Sequence, residues 1–83
     1  MKKILLYTLS TCSHCKATKR LLSKFNCEYD NITVDDLEGE TRKEILQDLK
    51  TINPRCSFPT IKIDNTIIVG YRENEIKEAL GIE

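Results

Sequence analysis

ILLYTLSTCSHCKATKRLL, Ile4 to Leu22, changes its hydrophobic period partway along. Its opening residues, Ile4, Leu5, Leu6 and Tyr7, form a short apolar, β-prone run and read as a strand from about Lys3 to Thr8. From Cys12 onward the period is helical: Cys15, Thr18, Leu21, Leu22 and Phe25 fall on one face, which predicts a helix ending near Asn26. Ser10 and Thr11 suit its N-cap. At the junction sits TCSHCK, Thr11 to Lys16, with Cys12 and Cys15 separated by two residues. Such a pair is half of a metal site, a structural bridge, or a couple that exchanges electrons.

Outward from this junction the pattern continues to alternate. CEYDNITV, Cys27 to Val34, is enriched in β-branched and aromatic residues and predicts a second strand. Asp35 and Asp36 are placed to cap a second helix whose buried face includes Ile45, Leu46, Leu49 and Ile52. Asn53 and Pro54 end it, because proline lacks the amide donor and biases its predecessor away from the helical region. TIKI and TIIV then flank Asp64 and Asn65, a pair that tolerates the positive φ of a tight hairpin turn. After Gly70, RENEIKEAL predicts a closing helix with Ile76 and Leu80 four apart. The order β-α-β-α-β-β-α describes one α/β domain over residues 1–83, a four-stranded mixed sheet flanked by three helices. A Cys-x-x-Cys at the end of its first strand is the thioredoxin-like arrangement.

Composition narrows the class further. The chain has 83 residues, enough for a single core, with 40% hydrophobic and 31% charged residues, as in a globular protein. No apolar run approaches a membrane span, and Lys2 and Lys3 are not followed by the apolar core and cleavage site of a signal peptide. The expectation is a cytoplasmic protein that engages neither membrane nor nucleic acid. Four cysteines would suggest a disulfide framework in a secreted chain, and that context is missing. The net charge of zero conceals a polarised chain: residues 1–26 hold six cations and no acid, whereas residues 27–48 hold eight acids against Arg42 and Lys43. This asymmetry reads either as solvated helix faces or as a field that orients a charged partner.

Chemistry follows from where the thiols stand. A helix N-terminus presents free amide hydrogens and the positive end of the macrodipole, so an anion is favoured at Cys12. Only a thiolate attacks a disulfide, and an ordinary thiol is just about 3% ionised at neutral pH. Cys15, one turn further, is expected beneath Cys12 as the thiol that resolves the mixed disulfide. As an imidazolium, His14 would stabilise the reduced form and make the couple more oxidising; the alternative is an exposed histidine without effect. A zinc site needs a second short ligand pair, which Cys27 and Cys56 do not form. Cys27 reads as a small core residue. Cys56, three residues before Pro59, is either a regulatory thiol or an inert one.

YTLSTCSHCKATKRLL, followed by SFPT and then VGYRENEI, resembles the glutaredoxins over essentially the whole chain. The resemblance implies a cytoplasmic thiol-disulfide oxidoreductase acting through Cys12 and Cys15 in cell redox homeostasis. The expected substrates are disulfide-containing protein clients or low-molecular-weight mixed disulfides, with no tightly bound cofactor expected and a monomer as the default state. The resemblance further implies a cis peptide at Pro59 that turns the Phe58 backbone toward substrate. Thr11, Ser13 and His14 beside the thiols, with Phe58, Pro59, Thr60, Gly70, Tyr71 and Arg72 opposite, would form the substrate groove. Two departures bear on the reductant. Leu9 stands where glutathione-using members carry a cation, and Val69, Gly70, Tyr71 and Arg72 replace their Gly-Gly and acidic element. CSHCKATKR and VGYRENEI are also similar to the NrdH-type redoxins, which thioredoxin reductase reduces, so the reductant is either glutathione or that enzyme. The competing function is an iron-sulfur or zinc carrier using Cys12 on the same fold.

Overall fold

A computed structural model describes residues 2–81. Strand β1, Ile4–Thr8, is followed by helix α1, Ser13–Lys24, and strand β2, Asp30–Thr33. A single 3₁₀ turn, Val34–Asp36, leads into α2, Gly39–Ile52; β3, Thr60–Ile63, and β4, Thr66–Val69, form a hairpin, and α3, Glu73–Leu80, closes the order. The sheet runs β2-β1-β3-β4. β1 pairs in parallel with β2, as a helical crossover permits, and antiparallel with β3, which pairs antiparallel with β4. This is the expected thioredoxin-like topology, with the 3₁₀ turn added.

Because strand side chains alternate between faces, β1 feeds two cores. Ile4 and Leu6 join Leu21 and Leu22 of α1, Ile61, Ile63 and Ile68 of the hairpin, and Ile76 of α3. Leu5 and Tyr7 point the other way, toward Val34 and Leu49, with Ile45, Leu46 and Ile52 of α2 packed alongside. Thus α1 and α3 cover one face of the sheet and α2 the other. The hairpin turn lies at Asp64 and Asn65, of which only Asp64 takes positive φ, at 52°. Asp64 also accepts the Lys3 amide at 2.9 Å, tying the turn to the start of β1.

Three local expectations are corrected. The predicted strand at Cys27–Val34 is only Asp30–Thr33, because Cys27 is committed to closing α1. Asn26 turns left-handed with φ of 55°. Its amide reaches Ser23 at 3.0 Å and the Cys27 amide reaches Leu22 at 2.9 Å, the pairing of a Schellman C-cap. Cys27 is therefore half-buried against the first core rather than opening a strand. Asp35 and Asp36 do not cap α2 either: they belong to the 3₁₀ turn, and Glu38 holds the N-cap position without a side-chain bond. Finally, neither Ser10 nor Thr11 caps α1; Cys12 does.

Candidate active site

Register places the site. Thr8, the last residue of β1, lies beside Thr33 at the end of β2, and Tyr7 faces Thr60 at the start of β3. Thr60 in turn faces Val69 at the end of β4. The segments Leu9–Cys12, Val34–Asp35, Phe58–Pro59 and Gly70–Tyr71 consequently leave the sheet at one end. Segments far apart in sequence meet there only because the sheet has this strand order.

Cys12 occupies the N-cap of α1 in an extended conformation, φ −88° and ψ 117°, and its Sγ accepts the Cys15 amide at 3.2 Å. Sulfur thus takes the part that a serine or aspartate oxygen usually plays, and the amides at this terminus favour negative charge on it. Cys12 is half-buried, while Cys15 beneath it is only 1% exposed. Burial, then the thiol hydrogen bond to Cys12 and the charge on that sulfur, push the Cys15 thiol from 9.0 up to about 11. A hydrogen bond with the Leu9 backbone and the charge of Lys19 act in the opposite direction. Cys15 therefore holds its proton while Cys12 is free, and donates it toward the outer sulfur.

The loop that delivers Cys12 is fixed from a distance. Asp35 accepts the Ser10 amide at 2.9 Å and, through its second oxygen, the Ser10 hydroxyl. Those bonds hold its carboxyl below the usual carboxylate range. Farther along, the Cys12 amide reaches the Leu9 carbonyl at 3.3 Å. Leu9 turns its side chain into the second core and presents no cation at this position.

Opposite the thiols, the Phe58–Pro59 peptide is cis. The loop carrying it is organised by Asn53, which is 5% exposed. The Asn53 amide nitrogen donates to the Ser57 carbonyl and hydroxyl, each at 3.2 Å, and to the Thr60 hydroxyl at 3.0 Å. Its side-chain oxygen accepts the Arg55 amide at 3.2 Å, and its main-chain carbonyl accepts the Cys56 amide at 2.9 Å. Gly70, at φ 90°, donates its amide to the Pro59 carbonyl at 2.8 Å and locks the end of β4 to this loop. Sequence reasoning read Asn53 only as a helix stop. The signal available was an asparagine immediately before Pro54, a residue type able to bond its own loop.

The proposed groove residues divide. Thr11, Ser13, His14 and Arg72 are exposed, and Phe58, Gly70 and Tyr71 are half-buried. Phe58 packs on the second core and Tyr71 on the first, so they stand on opposite faces of the sheet. Arg72 donates to the Val69 carbonyl at 3.2 Å and lies 3.7 Å from Glu75. Pro59 and Thr60 are fully buried. Contrary to expectation, the Thr60 side chain does not line a groove: its hydroxyl donates to the Ser57 carbonyl at 2.7 Å and accepts from Asn53, so it shapes the loop from within. Cys56 takes φ of 50° and packs against the second core. Among the described residues no cluster of three or more His, Cys, Asp or Glu side chains forms a metal-binding group. A cleft of about 720 Å³ lies at the other end of the sheet, beside Lys2, Asn26, Cys27 and Leu80, and contains neither Cys12 nor Cys15.

Comparison with known proteins agrees with this geometry. The glutaredoxin family model matches residues 4–68. A glutaredoxin-like 8.6 kDa protein in the rubredoxin operon of Clostridium pasteurianum is 31% identical over 77 residues, covering 93% of this chain and 96% of that protein. The crystal structure of Methanosarcina acetivorans methanoredoxin superposes with a TM-score of 0.90 at 41% identity, over 96% of this chain and 85% of that one. NrdH-redoxin from Escherichia coli gives a TM-score of 0.76 at 25% identity, over 92% of each chain. With a strand-to-helix Cys-x-x-Cys, a cis-proline loop at the same sheet end and a family match over most of its length, the chain belongs to the glutaredoxin family.

Proposed function

We propose that the protein is a dithiol thiol-disulfide oxidoreductase in which Cys12 attacks and Cys15 resolves. Its membership of the family supports a thiol-redox role. The observation that carries the finer reading is the vertical arrangement of the pair: an accessible sulfur capping a helix, above a buried thiol 1% exposed. The Cys12 thiolate attacks one sulfur of a client disulfide, forms a mixed disulfide and expels the other client sulfur as a thiolate. Once Cys12 is in that bond its negative charge is gone, and so are two of the influences that kept Cys15 protonated. Cys15 then loses its proton and attacks Cys12 Sγ, forming the Cys12–Cys15 disulfide and releasing the second client thiolate. Two electrons pass to the client, and an external reductant restores the dithiol.

Clients are disulfide-bearing proteins, and the chain works as a cytoplasmic monomer without a tightly bound cofactor. Leu9, packed on the second core, and Tyr71, packed on the first, stand at positions where glutathione-using members carry a cation and a small acidic element. Thioredoxin reductase is therefore the favoured reductant. Cys12→Ser abolishes turnover of a peptide disulfide, whereas Cys15→Ser accumulates a mixed disulfide visible by mass. Retained dithiol reductase activity in Cys12→Ser overturns the assignment. Recovery of the oxidised protein by NADPH with thioredoxin reductase is at least as fast as with glutathione; the reverse order refutes the choice of reductant.

A further inference from the structure

Beyond the thiol pair, the charge distribution over the fold defines an oriented surface. α1 buries Cys15, Thr18, Leu21 and Leu22 and turns Lys16, Arg20 and Lys24 to solvent, with Lys19 half-buried beside them. These cations follow one another at four-residue spacing, so they form a stripe about 12 Å long that begins immediately after Cys15. The stripe has no acidic partner within ion-pair distance among the described residues. Among the described residues the one ion pair is Arg72 with Glu75. α3 covers the same face of the sheet and carries Glu73, Glu75 and Glu78, and it also brings Lys77 to the end of α1. Its Nζ sits 5.8 Å from the Phe25 ring centroid, and Lys24 Nζ sits 5.7 Å from the same ring. The patch therefore extends from the redox pair to the far end of the helix.

A larger group of acids lies on the opposite face. Asp35, Asp36, Glu38, Glu40, Glu44 and Asp48 are carried by the 3₁₀ turn, the Glu38 cap and α2, which covers the opposite face, against three cations there, Arg42, Lys43 and Lys50. A chain of zero net charge is thus electrically polarised across its sheet, with the thiols at the boundary.

We infer that the α1 stripe is a docking surface for client proteins whose reducible disulfide is bordered by acidic residues, and that the acidic α2 face sets their orientation by repulsion. This rests on the redox reading above and specifies its substrate class. A partner approaching with its acids over α1 brings its disulfide to Cys12; rotated by half a turn it meets like charge. Potentials of this kind raise association rates about tenfold or more and fade as salt shortens their range. A protein patch fits better than a nucleic acid: the stripe spans only about two helical turns, and a neutral chain does not gather a long polyanion.

The test uses two disulfide-closed peptides that differ only in flanking Asp and Glu or flanking Lys and Arg, with neutral hydroxyethyl disulfide as a third substrate. Initial rates of reduction by the pre-reduced full chain are measured at about 20 mM and about 300 mM salt, between which the Debye length shrinks from roughly 20 Å to roughly 6 Å. The acidic peptide is reduced about tenfold faster than the basic one at low salt, and the ratio falls toward one at high salt. The double variant Arg20→Glu with Lys24→Glu, both away from the thiols, erases or reverses the preference while hydroxyethyl disulfide is reduced at the original rate. Equal rates for the two peptides at low salt, or a preference the variant leaves untouched, overturn this inference alone. Failure to reduce any of the three substrates overturns the redox reading and the inference with it. Salt-sensitive retention of a single-stranded DNA oligomer by the wild type, lost in the double variant, reassigns the stripe and also overturns it.

Discussion

Replacing Asn53 by alanine tests whether the cis-proline loop is held from beneath. The side chain is 5% exposed, and its amide nitrogen is within reach of three acceptors on Ser57 and Thr60 while its oxygen takes the Arg55 amide. Two amide hydrogens shared among three acceptors amount to two full bonds, and the accepted one makes a third. At about 1 kcal/mol net per bond, the loss is about 3 kcal/mol. Part of this reflects the buried Thr60 hydroxyl, which loses its donor but keeps its own bond to Ser57. For a domain of this size such a change lowers Tm by roughly 10–20 °C. Urea unfolding of the reduced protein gives the free energy directly, provided the m-value is unchanged. Asn53→Asp keeps the acceptor for Arg55 but sets a buried carboxylate against the Ser57 carbonyl in place of the donors, so it loses at least as much as alanine. Because the Cys12 cap is built on the other side of the site, iodoacetamide alkylation of Cys12 stays within twofold or so of wild type, while KM for a peptide disulfide rises. A stability loss under about 0.5 kcal/mol in both variants would show that the network does not hold the loop.

Three further outcomes follow from the same geometry. For Cys15, the folded state binds the proton more tightly than the unfolded chain, so its contribution is fully present below pH 9.0 and is lost as pH rises through about 11. Over that window the reduced protein loses about 2–3 kcal/mol more than Cys15→Ala does in urea titrations, and parallel curves for the two would contradict the buried-thiol assignment. For Asp35 the sign is opposite: its lowered folded pKa supplies stability above the ordinary carboxylate value of 3.8 that disappears as pH falls below it. Asp35→Asn accordingly flattens the acid limb of the stability profile, and the Ser10 amide gains hydrogen-exchange rate; an unchanged exchange rate counts against the clamp. Leu49→Ala, at a fully buried position of the second core, costs about 2–5 kcal/mol by chemical denaturation, and a cost under 1 kcal/mol would mean that α2 barely relies on that contact.

Local periodicity sufficed for the element order, the hairpin at Asp64 and the junction of strand, cysteine pair and helix. A change from a short apolar run to a helical period, with Cys12 at the switch, is written into neighbouring residues and needs no tertiary partner. What periodicity could not supply was the identity of partners. An aspartate after a strand suits a helix cap as well as a distant amide, and only the parallel pairing of β1 with β2 brings Ser10 to Asp35. The same holds for Cys27, whose composition fits a strand but whose amide is drawn into the helix terminus, and for Thr60, polar in sequence yet turned inward by Asn53. A sequence determines which face a residue prefers through burial free energy. Which polar atoms meet across the sheet end is decided by strand order and register, because a hydrogen bond needs its two atoms within about 3 Å and the chain positions them only once the whole sheet has closed.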